Sequence, residues 1–261
     1  MKFTNLFMAG ATAMVFSGCA FFSPSAKNCN SQPCGCGDSC ACETCPGKAV
    51  AATAPAPTGV HPDSKNWTPL FNADLGNAQY DKSVWSMDAN GVLTANKDDA
   101  IWTVRDYENF VLDFEYMYDP AANSGVIIYC SDLGNWIPNA VEIQILDDND
   151  PKWQKDAPQN KNGGLYGHLA PKVNNGKPAG EWNRMTVTAR GQHVTVAVNG
   201  EITVDDNLSK WTSAKTNPDG SSIPPWLSRP WAELATKGRI GFQGKHGASG
   251  IYFRNLKIKE L

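Results

Sequence analysis

AVEIQILD, residues 140–147, is the stretch that decides the fold. Branched apolar residues alternate here with Glu142 and Gln144, the period-two pattern of a β-strand that packs one face against a core. A carboxylate and an amide two residues apart lie about 7 Å from each other along such a strand. Two interpretations fit this stretch alone: a half-exposed edge strand, or a polar binding row on the open face of a sheet.

Residues 63–261 continue in the same manner, as short alternating runs separated by turn residues. This pattern predicts an all-β sandwich with long loops. Phe110–Tyr118 is the clearest strand, and its aromatic row is expected to lie between the sheets. His193–Val198 and Arg239–Gln243 are further predicted strands. Asn90-Gly91 and Asn199-Gly200 predict tight hairpins, because both residues tolerate the positive φ that such turns require.

The composition of the 261-residue chain excludes some partners and favours others. A formal net charge of -3, a pI near 5.8 and the lack of any Lys/Arg cluster argue against nucleic-acid binding. Nine Trp and seven Tyr suit an aromatic core and also suit the stacking of rings on sugars. We therefore expect a carbohydrate partner rather than a nucleic acid.

The first 18 residues have the features of an export signal. Lys2 precedes a short apolar run that ends in Phe16-Ser17-Gly18-Cys19, which resembles the lipobox of bacterial lipoproteins. The resemblance implies lipidation of Cys19, after which Ala20 follows rather than Asp. We expect an exported protein that contacts the membrane only through this lipid anchor, on the outer membrane or facing the periplasm.

Residues 19–62 are predicted to form a stalk. Six cysteines crowd between Cys29 and Cys45, and an Ala/Pro tract follows them. In an exported chain such cysteines favour a disulfide-knotted tether, whereas capture of a soft metal ion is the alternative. The Ala/Pro tract predicts an extended spacer.

The sequence lacks the motifs of several common enzyme classes: it has no nucleophile elbow, no P-loop and no H-E-x-x-H zinc motif. Its candidate proton-transfer groups are carboxylates such as Glu142, Asp147 and Glu181, and the glycine-flanked His168 and His246. Paired carboxylates can hydrolyse glycosides. A carboxylate and amide row beside a histidine can instead hold a divalent cation.

An ordered series of motifs narrows these alternatives: NSGVIIYC, VEIQILD, GGLYGHLAP, GEWNRMTV, GRIGFQGKHG and IYFRNLKIKEL. Over about residues 66–261 the chain resembles the 3-keto-disaccharide hydrolase domain family. The resemblance implies a concanavalin-like jelly-roll sandwich of two antiparallel sheets. It also implies cleavage of glycosidic bonds in sugars oxidised at the 3-hydroxyl, because a 3-ketone acidifies the hydrogen on C2 and so allows β-elimination of the C1 substituent.

The family motifs fall on particular residues of this chain. They imply that Glu142 and His246 act in catalysis or bind a divalent cation. The motifs also imply substrate contacts from Gln144, Asp147, Tyr166, Glu181, Trp182, Gln243 and Arg254. His168 is a further candidate base without family support. Many family members carry Arg where Tyr129 stands, so a charged contact is expected to be missing.

Two other functions remain open at this stage. The same sandwich architecture carries non-catalytic carbohydrate-binding modules, since fold does not determine function. The cysteine-rich stalk allows a structural or metal-scavenging role in the envelope. Convergence of Glu142 and His246 within hydrogen-bond or metal-ligand reach in one pocket would favour the enzyme, whereas their placement on opposite sheets would favour the binding module.

Overall fold

The computed structural model describes residues 64–261, whose regular structure is almost entirely β-strand. Five single-turn 3-10 helices lie in the connections, and none of the helices in this part of the chain is long and apolar enough to cross a membrane. The predicted signal peptide, Cys19 and the stalk lie outside the described residues. The strands are β1 (Thr68–Pro69), β2 (Ala78–Gln79), β3 (Trp85–Met87), β4 (Leu93–Ala95), β5 (Ala100–Thr103), β6 (Phe110–Tyr118), β7 (Asn123–Cys130), β8 (Val141–Leu146), β9 (Asn183–Arg190), β10 (His193–Val198), β11 (Glu201–Asn207), β12 (Arg239–Gln243) and β13 (Ile251–Glu260).

The strands form two antiparallel sheets. The larger sheet has the order β11-β10-β9-β6-β13-β4-β3, with β1 paired to β13, and the smaller has the order β2-β5-β12-β7-β8. Neighbours such as β6 and β13, or β7 and β12, are far apart in sequence, as a jelly roll requires. The predicted jelly-roll sandwich of two antiparallel sheets is confirmed.

The core between the sheets is aromatic. On β6 the alternate residues Phe110 to Tyr118 point inward, as predicted, and are at most 1% exposed. Phe114 meets Phe242 of the smaller sheet edge-on at 5.3 Å between ring centroids, and Phe242 meets Phe253 at 4.8 Å. Full burial of each such side chain stabilises the fold by about 1.5–3 kcal/mol. These contacts join the two sheets.

The hairpin predictions are also confirmed. Val198 pairs with Glu201 across Asn199-Gly200, whose φ angles of 49° and 91° are both positive. Asn90-Gly91 turns the chain between β3 and β4, with φ of 75° at the glycine. The predicted strands match β6, β10 and β12 to the residue, whereas the two-residue β2 carries no pattern that sequence could reveal.

Strand β8, which contains the stretch 140–147, is the last strand of the smaller sheet, but its free edge is covered. The Gln144 N–H donates to the Gly164 carbonyl at 2.9 Å, and the Tyr166 N–H donates to the Glu142 carbonyl at 3.0 Å. Residues 163–166 therefore continue the sheet without forming a regular strand. Since the apolar residues of β8 face the core, Glu142 and Gln144 face outward.

Two long irregular segments, residues 159–169 and 211–234, pack together beside β8 as a loop wall. The Asn217 side chain donates to the Gly167 carbonyl at 3.1 Å, and the Gln159 side chain donates to Ser221 Oγ at 2.8 Å. Trp211 is 2% exposed within this wall. These hydrogen bonds and the buried tryptophan fix the two segments against each other.

Candidate active site

A pocket of about 300 Å³ lies on the outer face of the smaller sheet, and we call it the Glu142 pocket. Its floor comes from β7, β8 and β12, and its rim comes from the loop after β7 and from the loop wall. Five of the residues predicted from sequence meet here: Glu142, Gln144, Tyr166, Gln243 and His246. The remaining lining residues are Asn123, Trp136, Ile137 and Trp226.

Glu142 owes its place on the floor to a glycine on the neighbouring strand. Gly125 pairs with Gln144 in the β7–β8 ladder, diagonally next to Glu142. A Cβ at position 125 would lie within 2.8 Å of Glu142 Cδ and would clash with its carboxylate oxygen. The Glu142 side chain therefore lies across the backbone of β7, in space that only glycine leaves open.

The carboxyl of Glu142 has an unusual protonation equilibrium. Burial, together with the negative charge of Asp98, raises its pKa from 4.5 to about 8. Most of this carboxyl is therefore protonated at neutral pH. A group that titrates near the working pH and lines a pocket is suited to general acid–base catalysis.

His246 reaches the same pocket from the loop between β12 and β13. Its backbone N–H donates to the Asn123 carbonyl at 3.0 Å, which ties this loop to β7. Its ring nitrogen Nδ1 lies 2.5 Å from Asp98 Oδ2. The imidazole is 53% exposed, so Nε2 remains accessible to a bound molecule.

Amide side chains complete the floor. Gln144 Nε2 donates to Asn123 Oδ1 at 2.8 Å, which fixes the orientation of the Asn123 amide. The backbone carbonyl of Gln243 accepts from Ser124 Oγ at 2.7 Å and holds β12 against β7. These amides offer neutral hydrogen-bond donors and acceptors, the groups that bind sugar hydroxyl and carbonyl oxygens.

The rim of the pocket is aromatic and partly exposed. Trp226 is 54% exposed and hydrogen-bonds to the phenol of Tyr166. Burial and the nearby charge of Glu142 raise the pKa of Tyr166, so its phenol stays protonated and can donate a hydrogen bond. Opposite, Trp136 packs edge-on against Trp102 at 6.2 Å, and Ile137 is 40% exposed. Such faces suit contact with a sugar ring or an apolar substituent.

Four residues predicted to bind substrate lie elsewhere. Asp147 is 4% exposed, and its carboxylate accepts from the N–H groups of Ala121 at 3.0 Å and Asn149 at 3.3 Å, so it shapes the turn after β8. Arg254 belongs to β13 in the larger sheet and lies 3.9 Å over the ring of Trp182. Glu181 is exposed in the turn that precedes β9. None of the four lines the Glu142 pocket.

His168 is not brought into the pocket either. Its side chain is 2% exposed in the loop wall and stacks on Trp231 at 3.5 Å, with 15° between the planes. Nδ1 lies 2.9 Å from the Tyr166 carbonyl, whereas Nε2 is buried without a partner. Burial lowers the pKa of His168 to about 4. Its place is structural, because a side chain sealed by tryptophan cannot contact a substrate.

Tyr129, where the resemblance implies that a charged contact is missing, lies away from the Glu142 pocket. A positive φ of 59° turns its side chain into the core, where it is 1% exposed and packs edge-on against Phe110. The phenol donates to the Gly191 carbonyl at 2.8 Å. The residue at position 129 therefore does not face the Glu142 pocket.

A second cavity of about 300 Å³ lies on the larger sheet, but its carboxylates are already occupied. Asp113 accepts from Arg184 at 2.7 and 2.9 Å and from Thr186 at 2.7 Å. Glu115 accepts from Arg254 at 2.8 Å. These ion pairs leave neither carboxylate available for proton transfer, so we place the candidate active site in the Glu142 pocket.

The pocket offers few ligands for the divalent cation that the sequence left as an alternative. Within residues 64–261 no three His, Cys, Asp or Glu side chains converge as a metal site. Glu142 and His246 supply at most two oxygens and one nitrogen, fewer than the six or more oxygens that hard cations prefer. The residues present do not form a metal cage, and the chemistry considered below uses the side chains alone.

Sequence reasoning missed several lining residues, because loops supply them. Trp136, Ile137 and Trp226 lie in connections without periodicity, and nothing in their neighbours marks a site. Gly125 had a signal that could have been used. A glycine in the middle of an apolar strand often marks close approach of another group.

Fold and pocket together define a β-sandwich protein with a small-molecule site on the outer face of one sheet. Comparison with known proteins identifies the class more closely. The chain belongs to the family of 3-keto-alpha-glucoside-1,2-lyase-like domains, whose model matches residues 66–259.

The chain is also similar to individual proteins. A 3-keto-disaccharide hydrolase of Bacteroides thetaiotaomicron is 27% identical over 174 residues, which cover 59% of this chain and 59% of the relative. A crystal structure of a proposed glycosyl hydrolase from Parabacteroides distasonis is 52% identical, with a TM-score of 0.73, covering 75% of this chain and 99% of that one. A second crystal structure of a proposed glycosyl hydrolase from the same organism shares the fold, with a TM-score of 0.62 and 24% identity. The match covers 75% of this chain and 94% of the other chain.

Proposed function

We propose that this protein cleaves the glycosidic bond of 3-keto-glycosides or 3-keto-disaccharides in the Glu142 pocket. The observation that carries the proposal is that one pocket is lined both by Glu142, a carboxyl whose pKa is raised to about 8, and by the histidine His246. Family membership and the 3-keto-disaccharide hydrolase relative support the substrate class.

The proposed reaction is an elimination followed by hydration. His246 removes the proton on C2, and the electron pair of that C–H bond forms the enolate of the 3-ketone. The enolate then expels the C1 oxygen, which takes a proton from the Glu142 carboxyl. Water finally adds its hydroxyl to C1 and its hydrogen to C2. The net reaction is therefore hydrolysis of the glycosidic bond. The two groups together supply the base and the acid that this sequence requires.

The enolate needs hydrogen-bond donors near the oxygen on C3. The neutral phenol of Tyr166 and the amides of the floor are the donors available in the Glu142 pocket. Donors fixed in a partly dry pocket stabilise a developing oxyanion by several kcal/mol, typically about 3 for each one removed. Trp136 and Trp226 would contact the flat faces of the substrate at the rim.

The test is turnover by the purified protein on a 3-keto-glucoside and on the same glucoside without the ketone, each with and without chelator. We expect release of the aglycone from the keto sugar only, and a loss of about 10²–10⁴-fold in Glu142→Gln. Glu115→Gln, on the larger sheet, is the matched control and should keep full turnover. Equal rates on both glucosides would contradict the elimination.

A carbohydrate-binding module without catalysis is the second candidate. The specific observation in its favour is the exposed aromatic rim, because exposed tryptophans at a pocket are a common feature of sugar-binding surfaces. Saturable binding of the keto sugar without any product, in both the wild-type protein and Glu142→Gln, would establish this function instead.

Export and lipidation are proposed from the sequence alone. The run Phe16-Ser17-Gly18-Cys19 supports a lipid anchor at Cys19, with residues 1–18 removed and residues 19–62 as a stalk. Labelling of cells with a radioactive fatty acid should tag the wild-type protein but not Cys19→Ala. Labelling of both would contradict Cys19 as the lipidated residue.

A further inference from the structure

A carboxylate outside the lining of the Glu142 pocket lies against its histidine. Asp98 does not line the pocket, yet its Oδ2 lies 2.5 Å from His246 Nδ1. Since the carboxylate can only accept, Nδ1 must carry the proton of this hydrogen bond. In the neutral ring, Nε2 then has a free lone pair and is the nitrogen left for a substrate.

The backbone holds these two residues together although they are 148 positions apart. The Lys245 N–H donates to the Lys97 carbonyl at 3.1 Å, and the Gly244 N–H donates to the Asp99 carbonyl at 2.9 Å. A Cβ at position 244 would lie 2.7 Å from the Asp99 carbonyl oxygen and would clash with that of Lys97. Glycine therefore permits the close approach that places the Asp98 and His246 side chains side by side.

The loop that carries Asp98 is fixed from its other side as well. The indole of Trp85 donates to the Asp99 carbonyl at 3.1 Å, and Trp85 itself is 2% exposed in the core. The Asn96 N–H donates to the Val84 carbonyl at 3.0 Å. These hydrogen bonds fix the backbone of the loop from which Asp98 projects.

The pair contributes little to stability, because the side chains of Asp98 and His246 are 44% and 53% exposed. We propose that Asp98 is a positioning residue for the reaction: it holds His246 with its proton on Nδ1, so that Nε2 receives the proton of the substrate. The role of Asp98 in the reaction rests on the proposed function, whereas the assignment of the His246 tautomer rests on geometry alone.

A second histidine–aspartate pair provides a matched control for the Asp98 substitution. His193 forms a similar pair with Asp205 at 2.7 Å, on the hairpin of β10 and β11 in the larger sheet, with exposures of 52% and 47%. Asp205→Ala therefore removes an equivalent exposed carboxylate that has no contact with the Glu142 pocket.

The tautomer is measured first, and needs no substrate. Long-range proton–nitrogen NMR of the full chain near pH 8 separates the two neutral tautomers of each of its four histidines, and the His246 signals are those lost in His246→Gln. We expect the Nδ1–H form of His246 in the wild-type protein and in Asp205→Ala, and a shift toward Nε2–H in Asp98→Ala. An unchanged His246 spectrum in Asp98→Ala would overturn the inference.

Turnover of a 3-keto-glucoside is the second readout. Asp98→Ala should lower kcat by about 10²-fold with little change in KM, whereas Asp205→Ala should have no effect. If Asp98 acts through His246, adding Asp98→Ala to the His246→Gln variant should cause no further decrease in kcat. Additive losses would overturn the positioning role. A wild-type protein that lacks turnover but shows the expected tautomers would refute the proposed function and leave the tautomer assignment intact.

Discussion

Replacement of Glu142 by Gln should stabilise the protein at alkaline pH while removing its activity. In the native state the pKa of Glu142 is raised from 4.5 to about 8, by burial and by the charge of Asp98. Between these values the folded protein holds a proton that the unfolded chain releases. Stability is therefore lost as pH rises through this window, and the loss is complete above the folded-state pKa.

The size of the effect follows from the same values. At about 1.4 kcal/mol for each pH unit, the gap between 4.5 and about 8 corresponds to about 5 kcal/mol. Water in the open pocket screens the charge, so we expect Glu142→Gln to be more stable than wild type by about 1–3 kcal/mol near pH 9. The difference should shrink as pH falls and disappear below pH 4.5, where the carboxyl is protonated in the unfolded chain as well as in the folded protein.

Urea unfolding of both proteins across this pH range is the measurement. Glu115→Gln provides the contrast: burial favours a raised pKa there, but hydrogen bonds from Arg254 and Asn255 outweigh it and lower the pKa of Glu115. Its carboxylate stabilises the fold above its unfolded-state pKa, so Glu115→Gln should be less stable than wild type at neutral pH. A free-energy difference between Glu142→Gln and wild type that stays constant with pH would refute the raised pKa.

Three further substitutions test separate parts of the structure. Gly125→Ala should displace the Glu142 carboxylate, lowering turnover by at least about 10²-fold while circular dichroism stays unchanged, and normal turnover would contradict the packing of Glu142 over β7. Trp226→Ala should raise KM about 10-fold for the loss of one ring contact, with stability kept within about 0.5 kcal/mol, and an unaltered KM would exclude Trp226 from substrate contact. Burial lowers the pKa of His168 from 6.5 in the unfolded chain to about 4 in the folded protein. As pH falls from 6.5 to 4, the free energy of unfolding of wild type should therefore decrease by up to about 3 kcal/mol relative to that of His168→Phe. Parallel unfolding profiles of the two proteins would argue against a buried neutral His168.

Much of the fold could be predicted, because strand alternation reports directly which residues meet the core. Phe110–Tyr118 and His193–Val198 alternate clearly and match β6 and β10. Glu142 and Gln144 could be predicted for the same reason: once the apolar residues of β8 face inward, the polar residues must share the outer face. Local pattern thus determines which face a residue occupies.

The rest of the site depends on contacts between distant loops, which no local pattern records. Asp98 reaches His246 only because Gly244 lets two loops approach. The motif GEWNRMTV lies away from the Glu142 pocket: its Asn183 is 1% exposed and accepts hydrogen bonds from the Lys177 N–H at 2.7 Å and the Asn199 side chain at 2.8 Å. Trp182 beside it lies under the guanidinium of Arg254 from the larger sheet.

The central claim is that the Glu142 pocket transfers the proton on C2 of a 3-keto-glycoside, and hydrogen isotope labelling tests it most directly. The protein is incubated with the keto sugar in deuterium oxide, and the product of the first few turnovers is examined by mass spectrometry and NMR. A parallel incubation of the free product corrects for exchange without the enzyme. The account predicts one deuterium at C2 of the released 3-keto sugar, at a rate that follows aglycone release and is lost in Glu142→Gln. Release of the aglycone with C2 still carrying its original hydrogen would contradict it.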